Sequence, residues 1–86
     1  EILTNHISVY PNPANTNATI SIQTIAGNSG KLSITNVTGA VVLEQFISME
    51  SMTATTAIDI THLTTGIYII NFMGSAETLS SKIIIE

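Results

Sequence analysis

Side chains that branch at Cβ dominate this chain. Its 86 residues include 15 Ile, 13 Thr and 4 Val. Branching at Cβ restricts χ1 and suits the pleated surface of a sheet better than the wall of a helix. The chain is therefore predicted to be all-β, and its length predicts one domain. Because it has no Cys, the hydrophobic core must stabilise the fold without disulfides.

Seven short apolar runs are separated by turn signals at intervals of roughly ten residues. The predicted strands are residues 7–10, 17–24, 31–37, 40–47, 56–60, 67–72 and 78–86. Turns are predicted at 26–30, 38–39, 61–66 and 74–77, and residues 48–55 show the weakest pattern. Seven strands without a helical period predict an antiparallel sandwich or a small barrel.

Alternation within the runs predicts which side chains point into the core. The predicted inward side chains include Ala18, Ile20, Ile22, Leu32, Ile34, Ile58 and Ile60. In residues 67–72 both faces are apolar, which predicts a central strand. The two valines at 41–42 break the alternation, which predicts a bulge or a two-sided strand.

The segment Tyr10-Pro11-Asn12-Pro13 interrupts the alternating pattern after the first run. Proline has a fixed φ and no N–H, so it cannot occupy a paired central strand. The two prolines are predicted to end the first strand and to hold Asn12 extended. The segment is predicted to be a stiff corner from one edge strand to the next; a binding loop is the alternative.

Charged residues make up only 9% of the chain, against about 25% in typical domains. With two basic residues, Lys31 and Lys82, and a net charge of −4, nucleic acid binding is not expected. The longest apolar runs, IYII and III, are far shorter than the ~18 residues of a transmembrane helix, so no transmembrane segment is predicted. No signal peptide is recognisable at Glu1. Residues 1–6 are predicted to be a linker remnant, and the chain a module of a larger protein.

Residues that could support catalysis or bind a metal are few and dispersed. His6 and His62 lie near the chain start and in a turn, and only Asp59 is close to either in sequence. Since Asp59 alternates with inward isoleucines, we expect it to face solvent or to cap the following turn. The carboxylates are scattered singly, and no glycine-rich phosphate loop is present. No catalytic residue, metal site or cofactor is predicted.

Four segments, taken in order, resemble a known family. They are VYPNPA at 9–14, LSITNVTG at 32–39, IDITHLTTGIY at 58–68 and KIIIE at 82–86. This set resembles the C-terminal sorting domain (type A) of cargo proteins of the type IX, or Por, secretion system of Bacteroidetes. The resemblance covers about residues 7–86. The Pro-Asn-Pro corner alone is weakly specific; the third segment is much more specific.

The resemblance implies an immunoglobulin-like, seven-stranded antiparallel β-sandwich over residues 7–86. It also implies a secretion tag rather than an enzyme. In that family the parent protein enters the periplasm with a signal peptide, and the folded cargo then crosses the outer membrane through a translocon with shuttle proteins. A cell-surface cysteine-protease sortase usually removes the domain. The cargo is then released or attached to anionic lipopolysaccharide, so a secreted or cell-surface location is expected.

The family also implies roles for particular residues. Translocon or sortase recognition is implied for the last residues, Lys82, Ile83, Ile84, Ile85 and Glu86. The family ends in apolar or basic residues, and Glu86 is a small departure from that pattern. Structural roles are implied for the other matching positions: Pro11, Asn12, Pro13, Gly39, Asp59, Leu63, Gly66 and Tyr68. Among these, the two glycines would supply turn conformations and Tyr68 would pack with its hydroxyl at the rim.

The last strand allows two compatible interpretations. At a sheet edge it would offer backbone groups and an apolar row for strand addition by a partner. Alternatively, it is simply the last strand of the core.

An accessory adhesive or carbohydrate-binding sandwich of a secreted enzyme is the alternative function. Sugar binding requires an aromatic platform, and the chain has no Trp. Its four aromatic residues, Tyr10, Phe46, Tyr68 and Phe72, are predicted to be mostly core. An exposed aromatic pair or a calcium site would favour this alternative.

Overall fold

The computed structural model describes residues 5–24, 29–48, 52–74 and 78–86. Within these ranges the chain forms seven strands and no helix. They are β1 (His6–Tyr10), β2 (Asn17–Gln23), β3 (Gly30–Thr35), β4 (Val41–Ile47), β5 (Thr53–Asp59), β6 (Gly66–Gly74) and β7 (Thr78–Ile85). The all-β prediction is confirmed. β5 begins earlier than predicted, in the stretch with the weakest pattern, and most of the predicted turns at 26–30 and 74–77 lies outside the described residues.

The strands form two antiparallel sheets, with orders β1-β2-β5 and β4-β3-β6-β7. The sheets share one core, as in a β-sandwich. The immunoglobulin-like connectivity stays a prediction. The β1-β2-β5 and β3-β6-β7 pairings agree with those of constant-type immunoglobulin domains. In those domains the fourth strand would extend the first sheet beyond β5, whereas here β4 pairs with β3.

The predicted inward side chains form the core. Ala18, Ile20, Ile22, Leu32, Ile34, Ile58 and Ile60 are all buried. β6 lies between β3 and β7, so the predicted central strand is confirmed. The predicted bulge is confirmed too, because the β3–β4 register shifts between Ile34 and Thr35. As a result Val42 and Leu43 both pack against the core.

The prediction for the aromatic residues is half wrong. Tyr68 and Phe72 are buried, but Phe46 is 70% exposed and Tyr10 is 51% exposed. Both exposed residues alternate with inward neighbours, and in β4 the buried position is taken by Ile47. The alternation therefore places Phe46 and Tyr10 on the outer faces of different sheets.

Candidate functional site

The strand register brings the family positions to one end of the sandwich. β1 ends at Tyr10, β3 at Thr35 and β5 at Asp59, while β6 begins at Gly66 opposite Ile85. We call this end the motif end; it comprises residues 11–16, 36–40, 60–65 and 84–86. Segments far apart in the sequence therefore lie at the same end of the sandwich as the end of β7.

The corner segment, residues 11–16, connects the two sheets. β1 stops at Tyr10 as predicted, and both X-Pro bonds of the corner are cis. The chain then reaches the edge of the four-stranded sheet, where Ala14 forms a parallel bridge with Ile85. The Ala14 N–H donates to the Ile84 carbonyl at 2.8 Å, and the Glu86 N–H donates to the Ala14 carbonyl at 2.8 Å. The prediction that the corner leads to another edge strand is wrong, because β2 is the middle strand of its sheet.

The Asn12 side chain extends this pairing along β7. Its Nδ2 donates to the Lys82 carbonyl at 3.0 Å, and its Oδ1 accepts from the Ile84 N–H at 2.9 Å. An amide side chain can bond in this way because it carries a donor and an acceptor, like a peptide group. Pro11 and Pro13 have no N–H to offer, so the side chain between them supplies the donor. The sequence pattern predicted only an extended backbone here. The Asn between two prolines was the sequence feature that could have indicated this side-chain pairing.

β7 is both an edge strand and a core strand. It pairs on one side with β6 and lies at the end of the sheet order, as strand addition requires. Ile83 and Ile85 are buried, Ile84 is half-buried, and Lys82 and Glu86 are exposed. On its outer edge, however, Asn12 and Ala14 already bond the backbone over residues 82–86. In this conformation a partner strand cannot pair with that part of the edge.

The loop between β5 and β6 is closed by an aspartate cap. Asp59 Oδ1 accepts from the Thr61 hydroxyl at 2.7 Å and from the Thr61 N–H at 2.9 Å, which confirms the expected cap. These two bonds hold the pKa of the Asp59 carboxyl below its usual 3.8 because they favour the ionised form, and the bond from the hydroxyl has the larger effect. The Ile60 N–H donates to the Thr16 carbonyl at 3.1 Å, so the loop is bonded to the corner segment. Leu63 packs against the core below it.

Tyr68 fixes the start of β6. Its ring is buried, while its hydroxyl donates to the Thr64 carbonyl at 2.7 Å and lies 3.1 Å from the Thr64 hydroxyl. A tyrosine near the start of a strand, bonded to the backbone a few residues upstream, is also found at the tyrosine corner of immunoglobulin domains. The ring is packed in the core, and the position of the hydroxyl at the rim stays a prediction. Tyr68 therefore holds the loop before β6 against β6 itself, which is the strand that pairs with β7.

The turn after β3 depends on a glycine and an asparagine. Gly39 has a φ of 89°, in the left-handed region that favours glycine, as predicted. Asn36 Oδ1 accepts hydrogen bonds from the N–H groups of Thr38 and Ala40, each at 3.0 Å. The side chain thus adds to the backbone hydrogen bonds of the turn, in which the Gly39 N–H donates to the Asn36 carbonyl at 3.0 Å. Gly66, with a φ of 157°, begins β6 opposite this turn.

A shallow depression of about 420 Å³ lies between these two turns. Its lining is Asn36, Val37, Thr38, Thr64, Thr65, Gly66, Ile67 and Tyr68. None of these side chains is charged at neutral pH. The depression therefore offers apolar contacts and hydroxyl groups, and its lining contains no His, Asp, Glu, Lys or Cys.

The ionisable groups in the described part of the chain make few contacts with one another. Asp59 bonds Thr61 rather than His62. Within the described ranges no three His, Cys, Asp or Glu residues come together as metal ligands, and no helix there could cross a membrane. Lys31 lies 3.5 Å from Glu44, whereas Lys82 makes no ion pair with any described residue.

The comparisons with known proteins identify one family. No curated protein matches the chain. A family model described as the secretion system C-terminal sorting domain matches residues 8–86. The match includes the corner segment, the turn after β3, the loop before β6 and all of β7. The chain therefore belongs to the family of type IX secretion C-terminal sorting domains.

Proposed function

We propose that this domain is a folded, non-catalytic signal in which Lys82–Glu86, presented by β7, is the recognised element. Domains of this family belong to proteins that are secreted across the outer membrane to the cell surface or the medium, and they interact with the secretion machinery. In our proposal residues 7–86 are the sorting domain, residues 1–6 are a linker remnant, and the whole is covalently part of a larger cargo protein.

The observation that supports this proposal is the convergence of the family positions on the end of β7. Asn12 and Ala14 bond its outer edge, and Gly66 begins the strand that pairs with its inner edge. Tyr68 and the Asp59 cap fix the loop that precedes that strand. The hydrogen bonds and strand pairing of these residues share one effect, which is to hold one strand in one geometry.

The specific partners in our proposal are the outer-membrane translocon with its shuttle proteins and, after export, a cell-surface cysteine-protease sortase. A folded tag suits this order of events because it must be recognised in the periplasm and removed outside. The exposed Lys82 and Glu86 are available to such partners, whereas Ile83 and Ile85 face the core.

The alternative sugar-binding function lacks its platform among the described residues. The two exposed aromatic side chains, Tyr10 and Phe46, lie on the outer faces of different sheets. A sugar ring cannot stack on both at once.

An export assay tests the proposal. Residues 1–86 are fused behind a signal peptide and a folded fluorescent reporter, and expressed in a Bacteroidetes host with and without a working type IX translocon. We expect the reporter outside the cell only when the translocon works. A reporter retained in the periplasm of both hosts, with the fusion intact and folded, would contradict the sorting function.

Point variants within 82–86 then test the recognised element. Deleting the five residues would also remove core side chains, so Lys82→Gln and Glu86→Gln, which alter only exposed side chains, are the informative changes. Lys31→Gln is the matched control, because it removes the other lysine from the same sheet face. We expect export to fall when residues of 82–86 change and to stay unchanged in the control. Equal export of all three variants would refute the assignment to Lys82–Glu86.

A further inference from the structure

Exposed apolar side chains are concentrated on one face of this sandwich. The outer face of the three-stranded sheet is mostly Ser, Thr, Asn and Gln, whereas the outer face of the four-stranded sheet is not. Of the eight exposed large hydrophobic side chains among the described residues, that second face holds five: Val41, Phe46, Ile67, Ile69 and Met73. Single exposed hydrophobics need no explanation, but a cluster on one face indicates a contact surface.

The strand register divides this face into two apolar regions. A polar row crosses its middle and consists of Glu44, Ser33, Asn71 and Ser80. Within that row the Ser80 hydroxyl donates to Asn71 Oδ1 at 2.7 Å. Phe46 and Met73 lie beyond the row, on either side of Lys31. At the motif end, Ile69 is paired with Lys82 and Ile67 with Ile84.

We call these last four residues, Ile67, Ile69, Lys82 and Ile84, the outer patch. Ile67 is 47% exposed and Ile69 is 38% exposed, so the patch offers apolar surface to a partner. The two lysines of the face differ in charge environment. Lys31 is neutralised by Glu44, whereas Lys82 meets no carboxylate of the described residues. The outer patch therefore combines an apolar surface with one positive charge that no described carboxylate pairs with.

We propose that the outer patch docks on a protein of the secretion machinery, through an apolar surface that carries a carboxylate opposite Lys82. This inference rests on the proposed function and extends the recognised surface from β7 to β6. It differs from recognition of β7 by strand addition, because Asn12 and Ala14 occupy the outer edge of β7 near its end. The side-chain face of the same strand remains accessible.

Charge selects this occupant over two others. An anionic membrane would be repelled by a chain of net charge −4 with a single unpaired lysine in its described part. A second copy docking patch to patch would bring two Lys82 ammonium groups together, which is unfavourable. A protein surface with an acidic group matches both properties of the patch.

The test uses the export assay with variants of β6 outside residues 82–86. Ile67→Thr and Ile69→Thr reduce the outer patch while keeping a β-branched residue in the strand. Met73→Thr and Phe46→Thr are the matched controls, because they make the same kind of change in the other apolar region of the same face. Circular dichroism melting of each purified chain shows that the variants are folded. Lys82→Glu is added because it would place a second negative charge opposite the proposed carboxylate of the partner.

We expect Ile67→Thr and Ile69→Thr to reduce the rate of export by about tenfold, the loss typical of truncating a central interface residue. We expect Lys82→Glu to reduce it further and both controls to be exported normally. If the unmodified chain is exported and all four Thr variants match it, the outer patch is not a docking surface, although the sorting function stands. If the unmodified chain is not exported, both proposals fail.

Two binding measurements check the other occupants. Sedimentation velocity that shows self-association of the unmodified chain, lost in Ile69→Thr, would identify a second copy as the occupant and overturn the inference. Co-flotation with phosphatidylglycerol vesicles but not phosphatidylcholine vesicles, lost in Lys82→Gln, would overturn it in favour of a lipid surface. A monomer that floats with neither supports docking to a protein.

Discussion

Asn12→Ala is the substitution that tests most directly how the end of β7 is held. It removes two hydrogen bonds, one to the Lys82 carbonyl and one from the Ile84 N–H. The first joins residues that are 70 positions apart in the sequence, and the second joins residues that are 72 positions apart. Each such bond contributes about 0.5–1.5 kcal/mol net. Because Asn12 is exposed, water can replace part of the loss, so we expect a decrease in the free energy of unfolding of about 1–2 kcal/mol. For a domain of this size that lowers Tm by roughly 4–15 °C.

Two assays report this effect at different scales. Urea unfolding followed by circular dichroism gives the change in global stability. Amide hydrogen exchange gives the local change, and we expect the Ile84 N–H to exchange faster because its acceptor is gone. The Glu86 N–H, which donates to the Ala14 carbonyl, is expected to change less.

Asn15→Ala is the matched control for Asn12→Ala. It makes the same change in the same segment, at an exposed side chain that makes no hydrogen bond with any described residue. We expect its unfolding free energy to stay within about 0.5 kcal/mol of the unmodified chain. Equal unfolding free energies for the two variants, with unchanged exchange at Ile84, would refute the role assigned to Asn12.

Three further predictions concern β7 and the loop before β6. Ile83→Ala is expected to lower the free energy of unfolding, measured by urea titration, by about 2–5 kcal/mol because Ile83 is fully buried. Ile84 is half-buried, so Ile84→Ala is expected to lower it by only about 1 kcal/mol. Equal losses would contradict the faces assigned to the two side chains. Tyr68→Phe keeps the buried ring and removes the hydroxyl bond, so a loss of about 1 kcal/mol is expected, and an unchanged Tm would argue against the bond. Asp59 has a lowered pKa when folded, so its contribution to stability is complete above its unfolded pKa and is lost as pH falls through the folded value. Thr61→Ala should therefore raise the pKa of Asp59 measured by NMR titration and reduce the loss of stability as the pH falls below the usual 3.8. A pKa equal to that of the unmodified chain would exclude the cap as the cause.

Local pattern was enough to predict the strands and most of the core. Alternation is a property of neighbouring residues, and it correctly placed Ile20, Ile34 and Ile58 inward. The bulge near Val42 was predicted for the same reason, since two adjacent valines cannot both keep the alternation. The cap formed by Asp59 was also local, because its partner lies two residues away.

Phe46 shows where local pattern was insufficient. Its hydrophobicity favoured the core, yet its neighbour Ile47 occupies the inward position, and the register leaves the ring on the outer face beside Lys31. Nothing within a short window distinguishes an aromatic that packs inside from one that forms part of a surface. The outer patch has the same origin, because Ile69 and Lys82 become neighbours only when β6 pairs with β7.

The sequence by itself determined the all-β class, the strand faces, the corner at Pro11–Pro13 and, through four ordered segments, the family. Only the tertiary structure decided that this corner returns to the last strand, with the Asn12 side chain bonding β7 in place of a backbone strand. The physical reason is distance along the chain. Steric and alternation rules act between neighbours, whereas the partner of an edge strand is selected by the packing of the two sheets as a whole.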